Sequence, residues 1–331
     1  MAATGRLRVA LACWDYDRTR ALADGRIQPE GVELNYLVLS PEETFFRMLR
    51  YQEFDAAEMS LSSYVLSLDA EEPPFVAIPV FPSRAFRHSG IYVNRDGGVR
   101  GPEDLIGRRV GLAEYQLTAL VWIRGILAEH HGVPADSVTY VTGGLEQAGR
   151  TEKIPLRLPE AIRIERAPEG ATLSQLLADG QLDAVYTPRT PSTFGQGRVV
   201  RLFEDFLPVE RAYFEATGIF PIMHVVVIRR ALYESAPWLA RSLYKAFDAA
   251  LQETRGALHE TAALKVALPW VVAHAEETER LMGPSPWAYG LDANRDVLAK
   301  FLQYSAGQGL ARGLRAPESL FAPETLEAFS V

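Results

Sequence analysis

The chain has little of what cross-linked, membrane-anchored or polyanion-binding proteins need. Of its 331 residues only Cys13 is a cysteine, which excludes an intrachain disulfide framework and any zinc site built from several thiolates. No apolar stretch approaches the roughly 20 residues that span a bilayer. The apolar run at the start is broken by Arg6 and Arg8. It therefore reads as a first strand rather than a signal segment, and a cytoplasmic location is expected. Basic charge is in deficit: 34 Lys and Arg stand against 42 Asp and Glu, a formal net charge of −8. No global positive field is present to collect nucleic acid or an anionic membrane, although a few buried arginines can still hold a small anion. There is no Walker loop, no Gly-x-Gly-x-x-Gly after a strand, no Gly-x-Ser-x-Gly elbow and no His-x-x-x-His pair. Neither a cofactor nor a metal is expected, and serine hydrolysis has no support.

What is present is an ordinary globular composition, 48 % hydrophobic and 23 % charged, long enough for two lobes. The chain is also written twice. A short strand pattern at Arg8–Cys13, followed by a polar turn and a helical stretch, recurs at Arg109–Glu114. The second copy leads into a helix that reaches His131 and stops at Gly132 and Pro134. Further on, Met48–Ala56 matches Leu176–Ala184 position by position, each a helix end, a turn and Asp-Ala entering a strand. Both helices open on a capping box, Ser40-Pro-Glu-Glu43 and Thr172-Leu-Ser-Gln175. Two echoes in the same order predict a pair of related α/β lobes. Extended runs at Ile91–Asn94 and His224–Ile228 would carry the chain out of the first lobe and back, which predicts lobe one as 1–93 plus 225–331 and lobe two as 94–224. The C-terminal part reads as helical over Pro237–Phe247 and Val297–Tyr304. Its aromatic residues Trp238, Tyr244, Phe247 and Trp270 suit core or a dimer face; core is the reading adopted, with self-association left open. Residues 143–170 read as a long connection or a hairpin.

Ligands in open α/β sheets bind beyond the carboxyl ends of the strands, where helix N-termini present free N–H groups. That rule selects five loops. Pro82–Ser89 holds Arg84, Arg87 and His88; arginine forks pair both oxygens of a carboxylate, while a solvated turn is the plainer alternative. Trp14–Thr19 contributes Arg18, which could equally form a local pair with an Asp. Ser60, Ser62 and Ser63 could donate to a carboxylate or simply cap the next helix. Glu114, Tyr115, Gln116 and Thr118 occupy the mirror position in the second copy, with Glu114 able to accept a phenol proton or to pair with an arginine. Arg189 lies in the turn Thr187–Ser192. His88 and His224 each begin a hinge strand and suit acid–base work near neutral pH, against the commoner role of structural hydrogen-bonder.

At these loops the chain resembles the 4,5-dihydroxyphthalate decarboxylase family. The segments are CWDYDRTRAL (13–22), FDAAEMSLSSY (54–64), IPVFPSRAFRHS (78–89), TGIFPIMHVVVIRR (217–230), PWLARSLYKAF (237–247), MGPSPWAYGLDANR (282–295) and LFAP (320–323). The resemblance implies a type II periplasmic-binding-protein-like fold: two lobes, a hinge of two crossover strands and a helical C-terminal part. It also implies cytoplasmic phthalate-type aromatic catabolism, with a small aromatic acid as partner and protocatechuate and carbon dioxide as products. No family catalytic residues are carried over. Chemistry alone suggests Arg84 and Arg87, or Arg18, for the retained carboxylate, Glu114 or His224 as base and His88 as acid, in a cleft between the lobes. The alternatives are a solute-binding protein without chemistry and a decarboxylase relative acting on another hydroxylated acid.

Overall fold

The computed structural model describes residues 5–327; the outermost four residues at each end of the predicted lobe one lie outside that range. The chain divides into two compact units, one of residues 1–84, 222–298 and 316–331, the other of residues 85–221 and 299–315.

The first unit opens with β1 (Leu7–Cys13), a short α1 (Arg20–Ala23), β2 (Val32–Val38), α2 (Pro41–Tyr51), β3 (Ala56–Ser60), α3 (Leu61–Ser67) and β4 (Phe75–Ile78). The second contains β5 (Ile91–Asn94), β6 (Arg109–Leu112), α4 (Thr118–His131), β7 (Thr139–Thr142), β8 (Arg163–Arg166), α5 (Leu173–Ala178), β9 (Ala184–Tyr186), β10 (Val199–Arg201) and α6 (Phe206–Thr217). The chain then returns to the first unit through β11 (His224–Arg229), α7 (Arg230–Ser235), α8 (Trp238–Leu258) and α9 (Val271–Met282). Last comes α10 (Arg295–Gly307), which the division cuts after Leu298.

The two sheets share one plan. The first runs β2-β1-β3-β11-β4, the second β10-β5-β9-β6-β7-β8. In each, three parallel strands (β2-β1-β3 and β7-β6-β9) meet an antiparallel strand, β11 or β5, the first strand of the returning or inserted segment. The sequence echoes have a physical basis here. Asp55 accepts from the Ala10 amide at 2.9 Å and pairs with Arg229; Asp183 accepts from the Arg109 amide at 2.9 Å and pairs with Arg108. Each Asp thus ties the entrance of one strand to its neighbour, and the following alanine is buried. Of each predicted capping box the hydroxyl half forms, Ser40 Oγ accepting from Glu43 N and Thr172 Oγ1 from Gln175 N, each at 3.4 Å, while the Glu43 and Gln175 side chains turn to Arg47 and Asp179. Gly132 ends α4 at φ +65°, a left-handed conformation that glycine adopts without steric cost.

Residues 143–170 hold neither a hairpin nor pure loop: β8 joins as a parallel edge strand on β7, exposed along its length. The C-terminal aromatics split. Tyr244 and Phe247 are buried on α8, whose buried residues recur at helical spacing, but Trp238 is 47 % and Trp270 71 % exposed. Trp238 stands at the first turn of α8, and Trp270 ends a run of ten exposed residues, so neither reaches the core expected of it. Among the described residues no helix is long and apolar enough to cross a membrane.

Candidate active site

The structure distributes the sequence-predicted residues over both units. Arg18, Ser60, Ser62, Ser63, Arg84 and His224 belong to the first; Arg87, His88, Glu114, Tyr115, Gln116, Thr118 and Arg189 belong to the second. Arg87 and His88 fall within the range 1–93 predicted for lobe one, but the chain leaves the first unit after Arg84, before β5 begins.

In the first unit the carboxyl ends of β1 and β3 converge on a residue that the sequence reading passed over. Glu58 lies in the central strand β3, fully buried. Its Oε1 accepts from the Tyr16 hydroxyl at 2.6 Å and contacts His224 Nδ1 at 2.6 Å. Its Oε2 accepts from the Trp14 amide at 3.1 Å and from Cys13 Sγ at 3.5 Å. Burial alone would raise the carboxyl pKa, but His224, Tyr16 and the Trp14 amide outweigh it, and the net direction is down. An ionised carboxylate can only accept. The proton in the His224–Glu58 contact therefore sits on Nδ1. His224 opens β11 directly opposite Ser60 in the antiparallel register, retains 18 % side-chain exposure, and has the edge of Phe45 against its ring at 4.9 Å. Burial, with the nearby Glu58, pushes the Cys13 thiol pKa up, so this cysteine is a packed neighbour rather than a nucleophile.

Arg18 stands beside this group. Its guanidinium lies over the Tyr16 ring at 4.1 Å and the Trp287 ring at 4.2 Å, and its Nε donates to the Pro82 carbonyl at 2.6 Å. Nη1 pairs with Asp17 at 3.0 Å, but Asp17 is 62 % exposed, and such a pair is weak. An arginine fixed on both faces and at Nε loses little further freedom on meeting an anion. Tyr16 therefore links the two groups, holding Glu58 through its hydroxyl and Arg18 through its ring. Arg84 is buried and donates to Asn294 Oδ1 at 2.7 Å; burial pushes its pKa down to about 9. Ser60 caps α3, accepting from Ser63 N at 3.4 Å, and Ser62 and Ser63 are buried in the first turn.

The second unit treats its predicted residues differently. Glu114 is 1 % exposed and is held by Arg150 at 2.7 Å and Lys153 at 2.5 Å. Gln116 donates to Glu152 Oε2 at 3.0 Å and the Tyr115 amide to Glu152 Oε1, so the segment 150–154 is tied down by two carboxylates. Tyr115 is buried with its hydroxyl on the Gln308 carbonyl, Thr118 opens α4, and Arg189 is exposed. His88 is 2 % exposed, edge-on to Phe203 and Tyr213, with His130 against Tyr213 and His131 against Phe203. Burial, aided by His131 and His130, pushes its pKa down to about 4. A neutral imidazole in an aromatic cluster is a poor proton donor near neutral pH, contrary to the acid role expected of it.

That burial has a consequence for stability. The His88 pKa is lower in the folded chain than the ordinary 6.5, so between about 6.5 and about 4 the unfolded chain binds the extra proton. Stability should fall as pH drops through that window, by up to about 3 kcal/mol from this residue. His88→Phe, which keeps the ring packing, is expected to flatten the decline in urea midpoint between pH 7 and pH 4. An unchanged slope would show that His88 does not titrate this way.

No family model matches the chain. It is, however, 44 % identical over 328 residues to a 4,5-dihydroxyphthalate decarboxylase of Comamonas testosteroni, covering 98 % of this chain and 99 % of that one. The chain belongs to the 4,5-dihydroxyphthalate decarboxylase family. A Pseudomonas putida decarboxylase of the same name is 49 % identical over 202 residues, covering 60 % of this chain and 78 % of the relative. Among solved structures, the periplasmic aliphatic sulphonate-binding protein of Escherichia coli superposes with a TM-score of 0.52 at 13 % identity, covering 96 % of this chain and 98 % of that one. A Bordetella bronchiseptica protein gives 0.50 at 19 %, covering 92 % and 90 %. The family member thus has the periplasmic-binding-protein-like fold expected from its sequence. Among the described residues no three His, Cys, Asp or Glu side chains are grouped to hold a metal ion.

Tyr16, Glu58, Phe45 and Trp287 were the residues sequence reasoning missed. Only Glu58 carried a signal: an acidic residue inside the otherwise small and apolar strand AAEMS. A charge buried in a central strand needs partners, and here they are Tyr16, His224 and the Trp14 amide.

Proposed function

We propose that the chain is a carboxy-lyase that converts 4,5-dihydroxyphthalate to protocatechuate and carbon dioxide, with His224 supplying the proton. The observation that carries the mechanism is the contact of the buried Glu58 carboxylate with His224 Nδ1 at 2.6 Å, which leaves Nε2 for the substrate. Each carboxylate of this substrate is para to a hydroxyl, whose lone pair feeds electron density to the carbon that bears the carboxylate. His224 as imidazolium, stabilised by Glu58, delivers its Nε2 proton to that carbon. The carbon–carboxylate bond then breaks, carbon dioxide leaves, the bonding pair restores the aromatic ring, and neutral His224 regains a proton from solvent. Arg18 holds the carboxylate that is retained, and the Phe45 and Trp287 rings provide aromatic surface nearby. His88 and Glu114 take structural roles in this reading, because each is already occupied by its neighbours. Cytoplasmic aromatic-acid catabolism is the setting this reading implies, supported by relatives named as decarboxylases rather than receptors.

Incubation with 4,5-dihydroxyphthalate should release carbon dioxide and the monoacid stoichiometrically. Binding without turnover would favour a receptor, and no binding at all a relative acting on a different acid. Arg18→Met is expected to raise KM about tenfold or more, the worth of one charge-assisted pair, with a smaller effect on kcat. An unchanged KM would remove Arg18 from the substrate.

A further inference from the structure

Glu58 Oε1 has two partners at the same distance, the Tyr16 hydroxyl and His224 Nδ1, each at 2.6 Å. Oε2 takes the Trp14 amide at 3.1 Å and the Cys13 thiol at 3.5 Å. Burial, with the Glu58 charge beside it, pushes the Tyr16 phenol pKa up, so the hydroxyl keeps its proton and remains a donor. The ring of the same residue faces the Arg18 guanidinium, 4.1 Å from its centroid. Other side chains anchor the turn that carries Tyr16. The Tyr36 hydroxyl, on β2, lies 3.0 Å from the Trp14 carbonyl and 2.9 Å from Thr19 Oγ1. Buried Thr19 in turn reaches the Trp14 and Tyr16 carbonyls, each at 3.3 Å. The place of the Tyr16 ring is thus set without help from its own hydroxyl.

We infer that Tyr16 is a positioning residue with two separable duties: its hydroxyl holds the Glu58 carboxylate against His224, and its ring holds Arg18 for the carboxylate that is retained. Both duties rest on the decarboxylation proposed above. A buried carboxylate is costly unless its lone pairs are answered. Without the hydroxyl, Oε1 keeps one donor, burial regains weight against the remaining partners, and the Glu58 pKa rises. A carboxyl that is protonated, or free to turn, no longer balances an imidazolium. The second duty needs only a ring face, which phenylalanine supplies and leucine does not. One residue therefore ties substrate capture to proton delivery, and the choice of replacement takes the two apart.

Carbon dioxide release from 4,5-dihydroxyphthalate, together with its calorimetric Kd, is measured on the full chain carrying Tyr16→Phe, Tyr16→Leu, Glu58→Gln, or Tyr16→Phe with Glu58→Gln. Tyr16→Phe should lower kcat about tenfold, the worth of a hydrogen bond to a charged group, and leave KM within about twofold. Tyr16→Leu should lose at least as much in kcat and also raise KM and Kd about three- to tenfold. Added to Glu58→Gln, Tyr16→Phe should cost little more, because the hydroxyl acts through that carboxylate. Wild-type turnover with an unchanged kcat in Tyr16→Phe, or an equal loss with and without Glu58, overturns the hydroxyl's duty. A KM in Tyr16→Leu no higher than in Tyr16→Phe overturns the ring's. A wild-type chain that binds the diacid but releases no carbon dioxide refutes the decarboxylation and the hydroxyl's duty with it, and the Kd values of the two variants then decide the ring's. A wild-type chain that does not bind the diacid overturns both duties.

Discussion

Replacing His224 with glutamine is expected to lower kcat for 4,5-dihydroxyphthalate by about 10²–10⁴-fold, the usual worth of a positioned acid or base. The substitution leaves Arg18, Tyr16 and Trp287 in place, so KM should move far less than kcat. Glu58→Gln should show the same split by another route. Glutamine cannot supply the carboxylate that fixes the Nδ1 proton and balances an imidazolium, yet it is close in size to the residue it replaces. Carbon dioxide release under saturating substrate measures both. Near-normal turnover in His224→Gln would take the histidine out of the proton path; normal turnover in Glu58→Gln alone would limit Glu58 to packing.

Glu114→Gln should instead be a stability variant. The wild-type carboxylate is fully buried and shared by Arg150, 24 % exposed, and Lys153, 11 % exposed. Neutralising it leaves two cations facing each other with little water, a change that typically costs about 3–5 kcal/mol. A lower urea midpoint with kcat of the folded enzyme close to wild type is the expected result. A loss of kcat at unchanged stability would return Glu114 to the catalytic role that its place after β6 first suggested. The two variants thus separate two buried glutamates that look alike in a list of charges. One meets an imidazole, the other a guanidinium and an ammonium.

Much of the architecture was legible from spacing. Each echo rested on local chemistry that recurs wherever it is needed: a hydroxyl three residues ahead of an N–H at a helix start, an Asp closing a strand entrance, a glycine at a positive φ. Such signals lie within a few residues of one another, so they survive in a linear reading. The site was legible in outline only. The choice of strand-end loops selected Arg18 and His224, which the proposed mechanism uses, because ligand sites in open α/β sheets favour those ends. It also drew in His88 and Glu114, whose loops were equally well placed but whose side chains had already been claimed.

By itself, then, the sequence determined the repeated α/β plan and the family, because helix caps, strand patterns and shared segments are properties of neighbouring residues. Only the tertiary structure decided that His224 meets Glu58 across 166 positions, that Tyr16 joins Glu58 to Arg18, and that His88 lies among aromatic rings. Whether a histidine works as an acid or merely packs depends on the dielectric, charge and hydrogen-bond partners around it. Those are supplied by strands and helices far away in the chain.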